Sequence, residues 1–212
     1  MNKIKEHRIN KEDNMFIGGY YCPDKILDPI VEWCNSLDLK GGISMGTDGK
    51  TQKWDGEEKT YKECYEQGIV WPTLGFKPMD RFLDWVQYAL GEYMEKYPML
   101  NSGGQFKMDP NFNFQKYPKG HAYNGWHCER AGYASTNRML VWMIYLNDCK
   151  DGGETAFLYQ KLKIKPEKGL VLFWPSDFTH THKGIPSYKT EKMIMTGWYS
   201  YIQNNGGALM WQ

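Results

Sequence analysis

Apolar residues recur with two different periods along this chain, and the change falls near residue 112. Before that point the spacing is helical. Ile26, Ile30, Val31 and Cys34 form one apolar face after Asp24, which predicts a helix with an Asp-type cap and Pro29 in its first turn. Between Pro78 and Tyr97, the residues Phe82, Trp85, Val86, Ala89, Leu90 and Tyr93 recur at three- and four-residue steps. That is the core-facing pattern of an amphipathic helix. Phe16–Tyr21 reads as a first strand. Residues 1–14 are polar and expected to pack loosely. Residues 40–63 are Gly-rich and charged, which predicts a long surface loop with room for a short hairpin, and 99–110 reads as loop.

From Phe112 onward the apolar runs are short and closely spaced: 112–117, 139–146, 155–159, 162–165, 170–174 and 193–201. They are rich in β-branched and aromatic residues and bounded by Gly, Pro, Asn and Asp, which is a strand-and-turn rhythm. The expected class is α+β, mainly β: a sandwich or barrel with the two N-terminal helices packed outside it. The expected organisation is one domain, with support over 1–111, a core over 112–201 and a tail over 202–212.

Composition narrows the function. The chain has 212 residues and a formal net charge of +1, so no general nucleic-acid or anionic-membrane binder is expected. Five cysteines without a CxxC pair argue against a disulfide framework or zinc knuckle. The charged N-terminal stretch lacks the apolar core of a secretory signal, and no apolar run is long enough for a membrane span. A cytoplasmic location is expected. Oligomeric state is not legible in the sequence.

Four of the five histidines lie in the second half, at His121, His127, His180 and His182. His127 and Glu129 are two residues apart, so in extended backbone their side chains share a face. A second histidine would complete a set of two imidazoles and one carboxylate, the facial arrangement of non-heme Fe(II) oxygenases. The motif HxE alone is weak. Lys192 lies ten residues after His182, where a cation could pair with the distal carboxylate of a dicarboxylate co-substrate.

With these residues in view, 112–201 resembles the catalytic core of the Fe(II)- and 2-oxoglutarate-dependent dioxygenases, in the prolyl 4-hydroxylase-like branch. The resemblance rests on residues in order: Tyr117, Gly120, Tyr123, His127, Glu129, Tyr145-Leu146-Asn147, Gly152-Gly153-Glu154-Thr155, Pro166 to Gly169, His182, Lys192 and Gly197-Trp198. It implies a double-stranded β-helix (jelly-roll) core with N-terminal supporting helices. It implies His127, Glu129 and His182 as ligands of Fe(II), and Lys192 on the C5 carboxylate of 2-oxoglutarate. Tyr117, Tyr145 and Thr155 would line or hydrogen-bond the co-substrate. Arg138 opens its strand in the family manner, as a structural or substrate-side group.

This sequence departs from the family at Glu129, where aspartate is usual. His180 shares parity with His182. The ten-residue step to Lys192 and the following Gly184 favour His182, leaving His180 as a supporting group or substrate contact. The implied reaction hydroxylates a C–H bond, plausibly of a peptidyl proline, consumes 2-oxoglutarate and O2, and releases succinate and CO2. Ascorbate is a candidate additional reductant. The partner is a peptide or small-molecule substrate. Two other classes use the same residues: a Zn(II) hydrolase and a non-catalytic jelly-roll binding module. The hydrolase would not need Lys192 at a fixed step from His182, nor the Tyr117 and Tyr145 positions, and the intact ligand residues argue against the binding module.

Overall fold

A computed structural model of the chain describes residues 4–9, 15–37, 39, 51–54, 57–60 and 62–202. The last ten residues of the expected tail, and most of the expected loop 40–63, lie outside these. Strands β1 (Gly18–Tyr21), β2 (Thr51–Trp54), β3 (Glu57–Thr60) and β4 (Tyr65–Val70) and helices α1 (Asp24–Ser36), α2 (Trp71–Leu74) and α3 (Lys77–Lys96) make up the first half. The second half carries β5 (Phe106–Met108), β6 (Asn111–Tyr117), β7 (Arg138–Tyr145), β8 (Thr155–Phe157), β9 (Leu162–Ile164), β10 (Leu170–Pro175), β11 (His182–Gly184) and β12 (Lys192–Tyr201).

The large sheet runs β1-β10-β7-β12-β6-β4, with β5 also pairing β12. Every pairing in it is antiparallel. A small sheet, β11-β8-β9, lies over it, and β2 and β3 form a separate pair. Two antiparallel sheets facing each other, with helices on the outer side of the larger one, are the double-stranded β-helix expected from the sequence.

β7 shows why the strands read as continuous apolar runs. Leu140, Trp142 and Ile144 enter the core beneath the helices, while Val141, Met143 and Tyr145 enter the core between the sheets. β10 divides the same way, with Val171 and Phe173 on one side and Leu170, Leu172 and Trp174 on the other. A strand buried on both faces has no polar alternation to show.

Helix α3 buries all six residues of the expected face, with Met79 and Leu83 in addition. Helix α1 buries Leu27, Ile30 and Cys34; Ile26 and Val31 are only partly buried. Its N-cap is Pro23 rather than an aspartate, and Pro29 lies in the helix interior rather than the first turn. Asp24 contributes as an acid at the positive end of the helix instead.

Other expectations change too. Residues 5–7 are not loose: Glu6 bridges Tyr20, and His7 donates its backbone N–H to Gly19 O at 2.8 Å. The segment 99–110 is not all loop, since β5 lies within it. β4, α2 and β11 were not expected at all. All five cysteines are free thiols. No described helix is long and apolar enough to cross a membrane.

Candidate active site

His127 sits in an irregular segment rather than a strand, and one β-bridge fixes it. Its backbone N–H donates to His182 O at 3.0 Å, and His182 N–H donates back to His127 O at 2.8 Å. This reciprocal pair places the two side chains opposite each other, with ring centroids 4.3 Å apart.

The rings are oriented by backbone carbonyls. His127 Nδ1 lies 2.9 Å from Gly125 O, and His182 Nδ1 lies 2.9 Å from His180 O. A carbonyl only accepts, so each Nδ1 carries the proton and each Nε2 presents a lone pair. Glu129 Oε1 lies 3.6 Å from both Nε2 atoms. The three donor atoms fall within 4.8 Å of one another. Burial and the neighbouring His182 pull the His127 imidazole below its ordinary value, which keeps it neutral. Burial alone would raise the Glu129 carboxyl, but the two histidines beside it hold it well below the usual carboxylate range.

Neighbouring side chains fix the set. Tyr123 stacks on His127 at 3.6 Å with planes 9° apart. Trp174 and Phe157 flank His182, with centroids 5.1 and 5.7 Å away. The second oxygen of Glu129, Oε2, accepts from Trp198 Nε1 at 2.9 Å and lies 3.5 Å from Arg138 Nη1. Arg138 also donates to Glu129 O and lies over the Trp198 ring, 3.7 Å from its centroid.

His180 is elsewhere. It is buried in a short helical turn, with Nε2 2.6 Å from Met15 O and Nδ1 3.0 Å from Thr179 Oγ1. His121 is paired with Glu63.

The donor trio opens into a cavity of about 330 Å³ whose walls include Tyr117, Thr155, Lys192 and Trp198. Lys192 pairs in register with Tyr117, and its side chain is 6% exposed. Its Nζ lies 5.8 Å from the Tyr117 ring centroid and 5.4 Å from that of Tyr145. Among the described residues no carboxylate lies within ion-pair distance of it. Burial pulls its ammonium down to about 8, against smaller upward effects of Cys149 and Glu154. Tyr145 does not line the cavity; its hydroxyl lies behind Thr155 and donates to Thr155 Oγ1 at 2.7 Å.

One wall escaped the sequence reading. Tyr117 donates to Gln115 Oε1 at 2.8 Å, Gln115 Nε2 donates to Glu66 Oε1 at 2.7 Å, and Lys62 donates to Glu66 Oε2 at 2.6 Å. No local motif marks this chain of residues. The β4–β6 register, which sets Glu66 opposite Gln115, assembles it.

A jelly roll with two imidazoles and a carboxylate on the wall of one cavity has the donor arrangement of non-heme metal oxygenases. Residues 112–200 match the model of the 2OG-Fe(II) oxygenase superfamily, and the same half of the chain is similar to prolyl 4-hydroxylases. The chain is 27% identical over 113 residues to prolyl 4-hydroxylase subunit alpha-3 of Homo sapiens, covering 50% of this chain and 19% of that protein. The match thus spans about a fifth of that relative's length. The fold is shared with a viral collagen prolyl hydroxylase from Paramecium Bursaria Chlorella virus-1, solved as a 2OG complex (TM-score 0.64, 16% identity, 90% of this chain and 98% of that one). A prolyl hydroxylase from Trichoplax adhaerens, solved with a hypoxia inducible factor oxygen degradation domain peptide fragment, gives a TM-score of 0.63 at 15% identity, over 91% of this chain and 86% of that one.

The matched family is described as one of 2OG-Fe(II) oxygenases. The donor set fits Fe(II): two imidazole nitrogens, one half-buried carboxylate, and each ligand oriented from behind by a hydrogen bond.

Proposed function

We propose that this protein is an Fe(II)- and 2-oxoglutarate-dependent dioxygenase that hydroxylates a C–H bond, with a peptidyl proline as substrate. The observation that carries the reading is the cavity itself. It has a two-histidine, one-carboxylate set and a buried lysine with no carboxylate at ion-pair distance among the described residues on the walls of one cavity. A zinc hydrolase has no use for that lysine.

His127, Glu129 and His182 would hold the iron. When bound with 2-oxoglutarate and O2, the iron supplies oxidation of the substrate C–H to an alcohol, coupled to release of succinate and CO2. The chain's own residues bind, orient and exclude water. Lys192 supplies the charge for the distal carboxylate, and Thr155, its hydroxyl fixed by Tyr145, offers a second polar contact. Tyr117 lies beside Lys192. Trp174, Phe157 and Tyr123 keep the imidazoles dry and immobile.

The peptide reading draws support from the relatives' substrates and from the cavity mouth. The turn 131–135 contributes Ala131 and Ser135 to the wall, and it carries a solvent-exposed Tyr133. An extended, proline-containing segment presents ring faces to such aromatic groups. Ascorbate is proposed only as an auxiliary reductant.

The test is anaerobic. Fe(II) and then 2-oxoglutarate are added to metal-free protein, and the weak visible charge-transfer band of the chelate is recorded. A band that Lys192→Ala weakens, with oxygen-dependent succinate release enhanced by proline-rich peptides, supports the proposal. Absence of the band with intact protein overturns it.

A further inference from the structure

The two oxygens of Glu129 are in different hands. Oε1 faces both histidine Nε2 atoms at 3.6 Å, while Oε2 accepts from the Trp198 indole at 2.9 Å, with Arg138 Nη1 at 3.5 Å. The indole is itself held. The Arg138 guanidinium lies on its face, and the same arginine donates to the Glu129 backbone carbonyl at 3.2 Å. Gly197, the preceding residue, lies against Trp142, where a Cβ would come 2.6 Å from Trp142 Nε1. The strand bearing Trp198 thus has little freedom to shift.

We propose that Trp198, braced by Arg138, is a positioning residue that restricts Glu129 to a single ligand oxygen. The inference rests on the metal-binding reading above. The physical reason is the extra methylene. A glutamate carries one more rotatable bond than an aspartate and reaches about 1.5 Å farther. Unrestrained, it can swing both oxygens onto a metal. A facial set is useful because it leaves three positions open, two for a chelating 2-oxo acid and one for O2. A chelating glutamate would take one of these. The indole N–H withholds Oε2 and keeps that position open. Length and tether are matched: an aspartate at 129 would be too short to face the histidines and reach the indole together.

The signature is a split between two affinities. An ordinary supporting residue costs metal affinity, by roughly 10–100-fold when removed. Removing the indole N–H should instead leave metal affinity equal or higher, because a second oxygen becomes available, and weaken the co-substrate by about tenfold or more. Trp198→Phe keeps the ring on Arg138 and deletes only the donor. Co(II) binding is titrated by its visible bands, and 2-oxoglutarate is then titrated into the Co(II) protein. Retained Co(II) affinity with weakened 2-oxoglutarate supports the proposal. Loss of both, or no change in 2-oxoglutarate, overturns it.

Two further measurements secure the result. In a Glu129→Asp background the same Trp198→Phe change should alter 2-oxoglutarate affinity less than about twofold, because the coupling has gone. A wild-type-sized effect there counts against the proposal. In the wild-type protein, the Trp198 indole N–H resonance is followed as Zn(II) is added. Persistence of its hydrogen-bonded shift supports the tether, and its loss overturns it without any variant. If the wild-type protein binds neither Co(II) nor Zn(II), the metal-binding reading itself fails, which is a separate result.

Discussion

His127 and His182 are 55 residues apart in sequence and exchange two backbone hydrogen bonds, at 3.0 and 2.8 Å. The site's two imidazoles are therefore set by main-chain pairing before any metal is present. Their Nδ1 atoms are tied to carbonyls of the same two segments. Chelation should strip the metal without unfolding the protein. Far-UV circular dichroism should be unchanged after chelator treatment. Added Fe(II) or Co(II) should raise Tm by simple linkage, worth about 2.7 kcal/mol at a hundredfold excess over Kd.

His182 and His180 should separate cleanly under substitution. His182→Ala should abolish metal binding, read by Co(II) titration. His180→Ala should retain it and lose the side-chain contacts to Met15 O and Thr179 Oγ1, costing about 1 kcal/mol for each in denaturant unfolding.

Lys192→Ala should weaken 2-oxoglutarate roughly tenfold to a hundredfold, the worth of a hydrogen bond to a charged group. Metal affinity should not move. The sign of the pH dependence follows from burial. The free ammonium titrates at about 8, so the charged form is lost as pH rises through that value, and co-substrate affinity should fall with it. Tyr117, Tyr145, Cys149 and Glu154 lie around this lysine, and Thr155 lines the same cavity. The two tyrosines are pushed well upward by burial and stay neutral through the same range, and burial also raises the Cys149 thiol above its ordinary value. Isothermal titration between pH 6.5 and about 9 would read the effect.

Gly197→Ala should destabilise the protein by about 1–3 kcal/mol, since the new methyl collides with the fully buried Trp142. Tm should fall by roughly 2–4 °C for each kcal/mol.

What could be read in advance follows from how local each signal is. α3 was legible because its apolar face repeats over 20 residues. β7 and β10 were legible because burial on both faces leaves unbroken apolar runs. β4 was not: Tyr65-Glu66-Gln67-Gly68-Ile69-Val70 buries only Ile69, and its strand character comes from pairing with β6. β11 is three residues long and exists through its pairing with β8. Within the site, the spacing of His127, Glu129, His182 and Lys192 lies along the chain. The Lys62–Glu66–Gln115 wall and the hold of Trp198 on Glu129 arise only when strands are laid side by side.

The β4 pairing bears on how the protein can be divided. Residues 112–200 hold the donor trio and Lys192. Yet β4 covers the outer side of β6, β1 covers β10, and Lys62 and Glu66 close part of the cavity. A chain begun at residue 112 would expose two unpaired strand edges and an apolar face stripped of α1 and α3. Such edges recruit other chains. The segment 112–200 is thus a unit of sequence likeness, and a piece that keeps these edges paired must begin before β1.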